Sequence, residues 1–427
     1  MTEALRESWV LSANSDMTDF PLNNLPYGVF STGQGSSRCG VAIGDRILDV
    51  AALERAGLIA LEGGPAFDTP SWNTLMRRGP AVWRDLRARL TSLLAREGGD
   101  PQSVSPFLTA MADAALHLPF EVAGFTDFFA NLDHARNAGT IFRGAQDAVA
   151  PNWYDIPMGY NGRASTVYVS GTPIRRPLGQ VLLPGSDRPV LMPEPKLDYE
   201  LELGAVVGTD HPGFRPVDLG QAEAMIFGYV LVNDWSARGI QAWEARPLGP
   251  FLSKSFATSI SPWIVPAAAL APFRCSPPER VRPPLPYLAE TEPTHLDIAL
   301  EARLKAGDTG AEAVIASTTY RGMSFSLAQQ LCHHMINGTA MRAGDLLGSG
   351  TVSGPAPENR GCLLERSWNG TEPIELPDGT ERTFLEDGDE LTLSGHAQGN
   401  GYRIGFGTCQ GRILPALQPP STSLEAA

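Results

Sequence analysis

The spacing of apolar and polar positions changes several times along this chain, and each change marks an element. Residues 38–50 carry two short alternating apolar runs around Gly44-Asp45, which predicts a small hairpin. From Pro80 the period lengthens. Val82, Leu86, Leu90, Leu93 and Leu94 recur at three and four, predicting an amphipathic helix that ends at Gly98-Gly99. From Leu118 onward short strand-like runs dominate, at 166–169, 201–207, 225–232, 295–304, 313–317 and 390–394. Helical spacing interrupts them at 237–245 and again at 327–337, where Gly338 closes the second helix. Residues 1–118 therefore read as a small N-terminal domain and 119–418 as a larger, mainly β domain with some helix. Residues 419–427 read as a small polar, flexible tail. The proline-rich run 275–295 reads as an ordered surface excursion.

Composition narrows the functional classes. A chain of 427 residues with 44 glycines and 36 prolines favours turns and short strands over long helices. The net charge of −14 argues against nucleic acid or an anionic membrane as partner, since both need a positive surface. Five scattered cysteines with no C-x-x-C spacing indicate neither a disulfide framework nor a zinc site. The acidic N-terminus lacks the basic start and apolar run of a signal peptide, and the longest apolar run is too short to span a bilayer. A cytoplasmic protein is expected.

Three separated stretches carry acids that a hard cation would need: Asp127, the pair Glu200 and Glu202, and Asp234. On a strand, Glu200 and Glu202 point to one side, roughly 6–7 Å apart, while Tyr199, Leu201 and Leu203 point to the other. Oxygen-only ligands suit Mg²⁺ or Ca²⁺. The competing reading is a solvated strand face for the glutamates and a helix N-cap for Asp234.

His134 has the side chain suited to take a proton from water at neutral pH. Glu365 is a possible orienting carboxylate, although no spacing links the two. Arg143, Arg238 and Lys254 are candidate cations, each otherwise a surface charge. On a helix opening at Trp235, Arg238 and Gln241 would share a face beside Asp234. His333 and His334 are adjacent, face different directions and read as structural. Two glycine-rich segments, 342–355 and 394–407, lack the context of a phosphate loop and read as tight turns and close strand approaches. Thr351, in the first of them, is a weak candidate ligand contact.

Several stretches in order, including "DFPLNNLPYGVFS", "IFRGAQDAVAPNWYDIPMGYNGRAS", "LDYELELG", "NDWSARGIQAWE" and "PLGPFLSKSFATSISPW", resemble the fumarylacetoacetase family from about Asp19 to Leu417. The resemblance implies a small SH3-like N-terminal barrel followed by a larger mixed β-roll, assembled as a homodimer. It implies hydrolysis of a carbon–carbon bond in a β-diketone acid, as in tyrosine and phenylalanine catabolism. It further implies Asp127, Glu200, Glu202 and Asp234 as ligands of Mg²⁺ or Ca²⁺, with Lys254 and Thr258 bordering a second metal position. His134 would be the base, oriented by Glu365. Arg143 and Tyr160 would hold the substrate carboxylate, and Arg238, Gln241, Lys254 and Thr351 would line the rest of the pocket. The chain departs from the family pattern at Phe129 and Ala245, where tyrosines are expected to approach the substrate, and at Asn161 and Gly239.

Two lost hydroxyls leave a second activity open: related enolate chemistry, such as decarboxylation, isomerisation or carbon–carbon bond formation, on a different diketone. A catalytically silent binding protein is the third reading, and retention of His134, Glu365 and all four acids argues against it.

Overall fold

The hairpin forms where the alternation placed it. In the computed structural model, which describes residues 4–418, β1 (Tyr27–Thr32), β2 (Arg38–Ile43) and β3 (Arg46–Asp49) pair antiparallel. Gly44 turns the β2–β3 corner at φ +56°, a left-handed conformation that a side chain disfavours. The helix α1 (Pro80–Leu94) follows, then β4 (Leu108–Ala110) and β5 (Ala114–His117), which complete a five-stranded barrel-like sheet in the order β4-β3-β2-β1-β5. The helix stops at Leu94, four residues before the expected glycines. There the N-terminal segment captures the chain: the amide of Trp9 and the hydroxyl of Ser8 both donate to the Leu94 carbonyl, and Arg96 N donates to Glu7 O.

The larger part supplies β6 (Gly124–Phe128), α2 (Leu132–Arg143), β7 (Gly159–Asn161), β8 (Val167–Val169), β9 (Ile174–Arg175) and β10 (Leu201–Val207). Next come β11 (Ile226–Asn233), α3 (Arg238–Glu244), β12 (Thr258–Ile260), β13 (Ala299–Lys305), β14 (Glu312–Thr319) and α4 (Leu327–Met335). The chain closes with β15 (Asp345–Gly348), α5 (Leu363–Arg366), β16 (Glu390–Gln398) and β17 (Arg403–Leu414). One mixed sheet runs β7-β6-β15-β10-β11-β12-β8, with Val265–Pro266 also paired to β11, and a second runs β14-β13-β16-β17-β9. The architecture is a mainly β protein with some helix, an SH3-like barrel followed by a mixed β-roll. The expected strand 295–304 is divided: His295–Leu296 pairs with Arg274–Cys275, and β13 joins the second sheet after the chain crosses at Asp297, whose amide donates to Phe273 O. The expected tail at 419–427 lies outside the described residues.

Both faces of the β10–β11 pair are buried, which is why these strands read as apolar runs. Leu201, Leu203 and Ala205, with Tyr229 and Leu231, face the core shared with the second sheet. Val206, Val230 and Val232, with Phe125 and Leu346, face a core shared with the N-terminal barrel and α1. Tyr27 stacks on both Trp72 and Phe227 there, and Trp83 meets Phe227 edge-on. With a side-chain period of two, Asp127 lies on the same face as Phe125, Glu202 on that of Val206, and Asp234 continues the row of Val232. The acids occupy the end of the face whose other end carries the barrel.

Candidate active site

All four acids converge. One carboxylate oxygen from each of Asp127, Glu200, Glu202 and Asp234 lies within 4.8 Å of the others, and all four side chains are buried. The solvated-face reading therefore does not apply. Neither does the N-cap reading: α3 opens at Arg238 behind Ala237, with no side-chain cap. The sheet register makes the convergence. β15 lies between β6 and β10, and its last residue, Gly348, pairs with Asp127 on one side and Gly204 on the other. A Cβ at Gly348 would collide with the carboxylates of both Asp127 and Glu202, so only glycine leaves room for them.

Cations meet this cluster from one side. The Lys254 ammonium lies 2.6 Å from Glu200 and 2.9 Å from Asp234, and Arg238 Nη1 lies 2.8 Å from Glu200. Arg238 also spans to Gln241 Oε1 at 3.0 Å, so the two share a helix face as expected, although the helix opens three residues later than Trp235. Burial alone would raise Glu200, but Lys254 and then Arg238 hold it far below the usual carboxylate range. On the opposite side burial, then the neighbouring Asp234 charge, pushes Asp127 well up, and burial, then Asp127, does the same to Glu202. Each of these two keeps a buried oxygen with no hydrogen-bond partner among the described residues, Asp127 Oδ1 and Glu202 Oε1. Buried lone pairs that no protein donor reaches, in an all-oxygen donor set, fit a hard divalent cation.

Lys254 is not a ligand in this arrangement. Burial alone would lower its pKa, yet Asp234 and Glu200 raise it above the usual lysine value, so the nitrogen is an ammonium with no lone pair to give. Thr258 donates its hydroxyl to Asp234 Oδ1 at 2.9 Å. Tyr160 faces the cluster itself, its hydroxyl 2.9 Å from Asp127 and 2.7 Å from Asp234. Arg143 stands apart: it is exposed at the end of α2, with its guanidinium donating to the carbonyls of Asp147 and Ala148.

The imidazole pair is also assembled. Asn131 caps α2, accepting from the His134 amide at 2.9 Å, and His134 Nδ1 lies 2.6 Å from Glu365 on α5. Although burial alone would raise it, His134 first, then Asn137 and Cys362, bring Glu365 down to about 2. Ser353 donates to the same carboxylate at 2.8 Å. Phe129 sets its ring edge-on to His134, with centroids 5.2 Å apart. The Thr351 hydroxyl and Arg238 Nη2 are buried with no partner among the described residues, two donors available to another molecule.

Most of the chain matches one family. "Fumarylacetoacetase N-terminal" matches residues 23–119 and "Fumarylacetoacetate (FAA) hydrolase C-terminal" matches 124–414. The chain belongs to the fumarylacetoacetate hydrolase family. Fumarylacetoacetase of Bos taurus is 48% identical over 407 residues, covering 94% of this chain and 97% of that protein. Fumarylacetoacetase of Arabidopsis thaliana is 45% identical over 432 residues, covering 98% and 100%. Among solved structures, a fumarylacetoacetate hydrolase from Exiguobacterium antarcticum shares the fold with a TM-score of 0.53 at 18% identity, covering 92% of this chain and 99% of that one.

In this member of the family, sequence reasoning missed Gly348, Asn131, Asn137 and Ser353. Gly348 carried a signal, a glycine ending a strand in a segment already expected to bring backbones close. Asn131 carried the local signal of an N-cap three residues before His134, whereas Asn137 acts on Glu365, 228 residues away, and Ser353 on the same carboxylate across a loop. His333 and His334, read from the sequence as structural, hydrogen-bond to Tyr287 and Thr126.

Proposed function

We propose that the chain hydrolyses the carbon–carbon bond of fumarylacetoacetate, or of a close β-diketone acid, to fumarate and acetoacetate, in the breakdown of tyrosine and phenylalanine. The observation that carries this reading is the joining of four buried carboxylates to a His–Glu pair through one short segment, β6 to α2. Asp127, Glu200, Glu202 and Asp234 would hold Mg²⁺ or Ca²⁺. Such an ion supplies Lewis acidity for the negative charge that develops on a diketone. His134, held through Nδ1 by Glu365, takes a proton from water at Nε2 as the water attacks a carbonyl carbon; the adjacent carbon–carbon bond then breaks, one fragment leaving as the carboxylic acid and the other as an enolate that takes up the proton. Lys254 spends two of its three N–H bonds on Glu200 and Asp234 and keeps one for substrate oxygen. Arg238 Nη2 and the Thr351 hydroxyl are further donors. Gln241 sets the Arg238 plane. Tyr160 borders the acids, and Arg143, with Nε and Nη2 on two carbonyls, keeps Nη1 for a substrate carboxylate.

We also propose a cytoplasmic homodimer divided near residue 118. The five cysteines are free thiols, which suits a reducing compartment. Leu248 and Phe251, beside Lys254, are 96% and 68% exposed, an apolar surface suited to a second copy. The two matched segments end and begin at 119 and 124. The test is release of fumarate and acetoacetate from fumarylacetoacetate, with Mg²⁺ or Ca²⁺ present and then removed by a chelator. Turnover that chelation abolishes and added ion restores supports the reading. No turnover, with another diketone acid converted instead, replaces it with related enolate chemistry.

A further inference from the structure

Asp198 is fully buried, and its carboxylate is used to capacity. Oδ1 accepts from the amides of Tyr199 at 2.8 Å and Leu363 at 2.7 Å. Oδ2 accepts from the Leu364 amide and from Arg238 Nε, both at 2.9 Å. Three segments meet on this one anion. The first is the chain entering β10, which carries Glu200 and Glu202. The second is the start of α5, a single turn whose third residue is Glu365. The third is Arg238, whose other face binds Glu200 at 2.8 Å.

The Arg238 amide also donates to Lys196 O, and Leu201 N to Gly361 O just ahead of α5, but Asp198 meets all three parts with one side chain. α5 is too short to hold its own place, since a one-turn helix gains little from its internal bonds. Its first two amides have no intrahelical acceptor, and Asp198 satisfies both. Arg238 has five donors in a rigid fork, so fixing Nε fixes the plane that Nη1 and Nη2 present to the site.

We propose that Asp198 is a positioning residue for the reaction, setting the His134–Glu365 pair in register with Arg238 and the acid cluster. It touches no reacting atom. It acts on proton transfer through the placement of Glu365 and on substrate oxygen through the plane of Arg238. The inference deepens the hydrolase reading and rests on it for its kinetic consequences.

Asp198→Asn tests this, because the amide keeps the shape but turns an N–H₂ donor toward one pair of donors. Loss of such an outer partner lowers kcat by about 10–100-fold, with KM little changed and a lower melting temperature, because the buried guanidinium loses one of its two carboxylates. Two double mutants locate the effect. Combined with Glu365→Gln or with Arg238→Met, Asp198→Asn adds much less than its own loss, because the group it positions is already gone. A readout independent of substrate is the low-field proton resonance of the His134 Nδ1–H bond, assigned by its disappearance in Glu365→Gln. It moves or broadens in Asp198→Asn. Asp198→Ser, which deletes the anion and leaves room for water, carries the same expectations should the asparagine variant fail to fold. An unmoved resonance, or losses that multiply fully in both double mutants, overturns the proposal. If the parent protein does not turn over fumarylacetoacetate, the hydrolase reading fails while the resonance still decides the role of Asp198.

Discussion

His134 is the base we propose, and its partner Glu365 lies 231 residues away. No local spacing joins His134 to Glu365, so their pairing was legible only through the family likeness. The four acids were different: alternation alone put Glu200 and Glu202 on one face opposite Tyr199, Leu201 and Leu203. Lys254 shows the limit of that reasoning. It read as a candidate cation or else a surface charge, and only the geometry shows a buried ammonium shared by two carboxylates. Replacing His134 with alanine is expected to lower kcat by about 10²–10⁴-fold while leaving divalent-ion binding intact, read by steady-state kinetics and calorimetry. Activity close to the parent would remove His134 from the mechanism. Phe129 contributes only an apolar edge to that imidazole. Phe129→Tyr adds a hydroxyl to the pocket wall, and the ratio of kcat/KM values for fumarylacetoacetate against simpler diketone acids is expected to rise. An unchanged ratio would show that this position does not select substrate.

Elements were most legible where burial imposed a strict period. β10 begins and ends where the apolar run does, and β11 within a residue, because both their faces are packed. The helix ending at Leu94 and the divided strand at 295–305 were not legible, since partners distant in sequence set both boundaries. The same sheet logic makes β15 sensitive to a single methyl group. Gly348→Ala drives a Cβ into two carboxylates and should cost about 1–3 kcal/mol, with divalent affinity weakened further. Thermal denaturation with and without Mg²⁺ measures both, and a variant as stable and as responsive as the parent contradicts the packing account. Asn131 ties α2 to the segment bearing Ser353 as well as capping it. Asn131→Ala should cost about 1 kcal/mol and reduce kcat through looser placement of His134.

The molecule as a whole concentrates repulsion in one buried place. Asp127 and Glu202 are raised above their ordinary pKa values, so the folded chain holds protons that the unfolded chain releases. Their contribution is favourable in acid and is lost as pH rises through the raised values. Chelated protein is therefore expected to melt at a lower temperature near neutral pH than at mildly acidic pH, and Mg²⁺ or Ca²⁺ should restore the loss. A melting temperature that rises toward neutrality in chelator would contradict this. β11 gives this chemistry a structural dependency. It leads directly into Asp234, and Phe227, Val230 and Val232 rest on aromatic and aliphatic groups contributed by the first hundred residues. Severed from that support, the larger half would present a greasy strand to water and lose the anvil against which its acids are set, so the two halves have to be made, and kept, together.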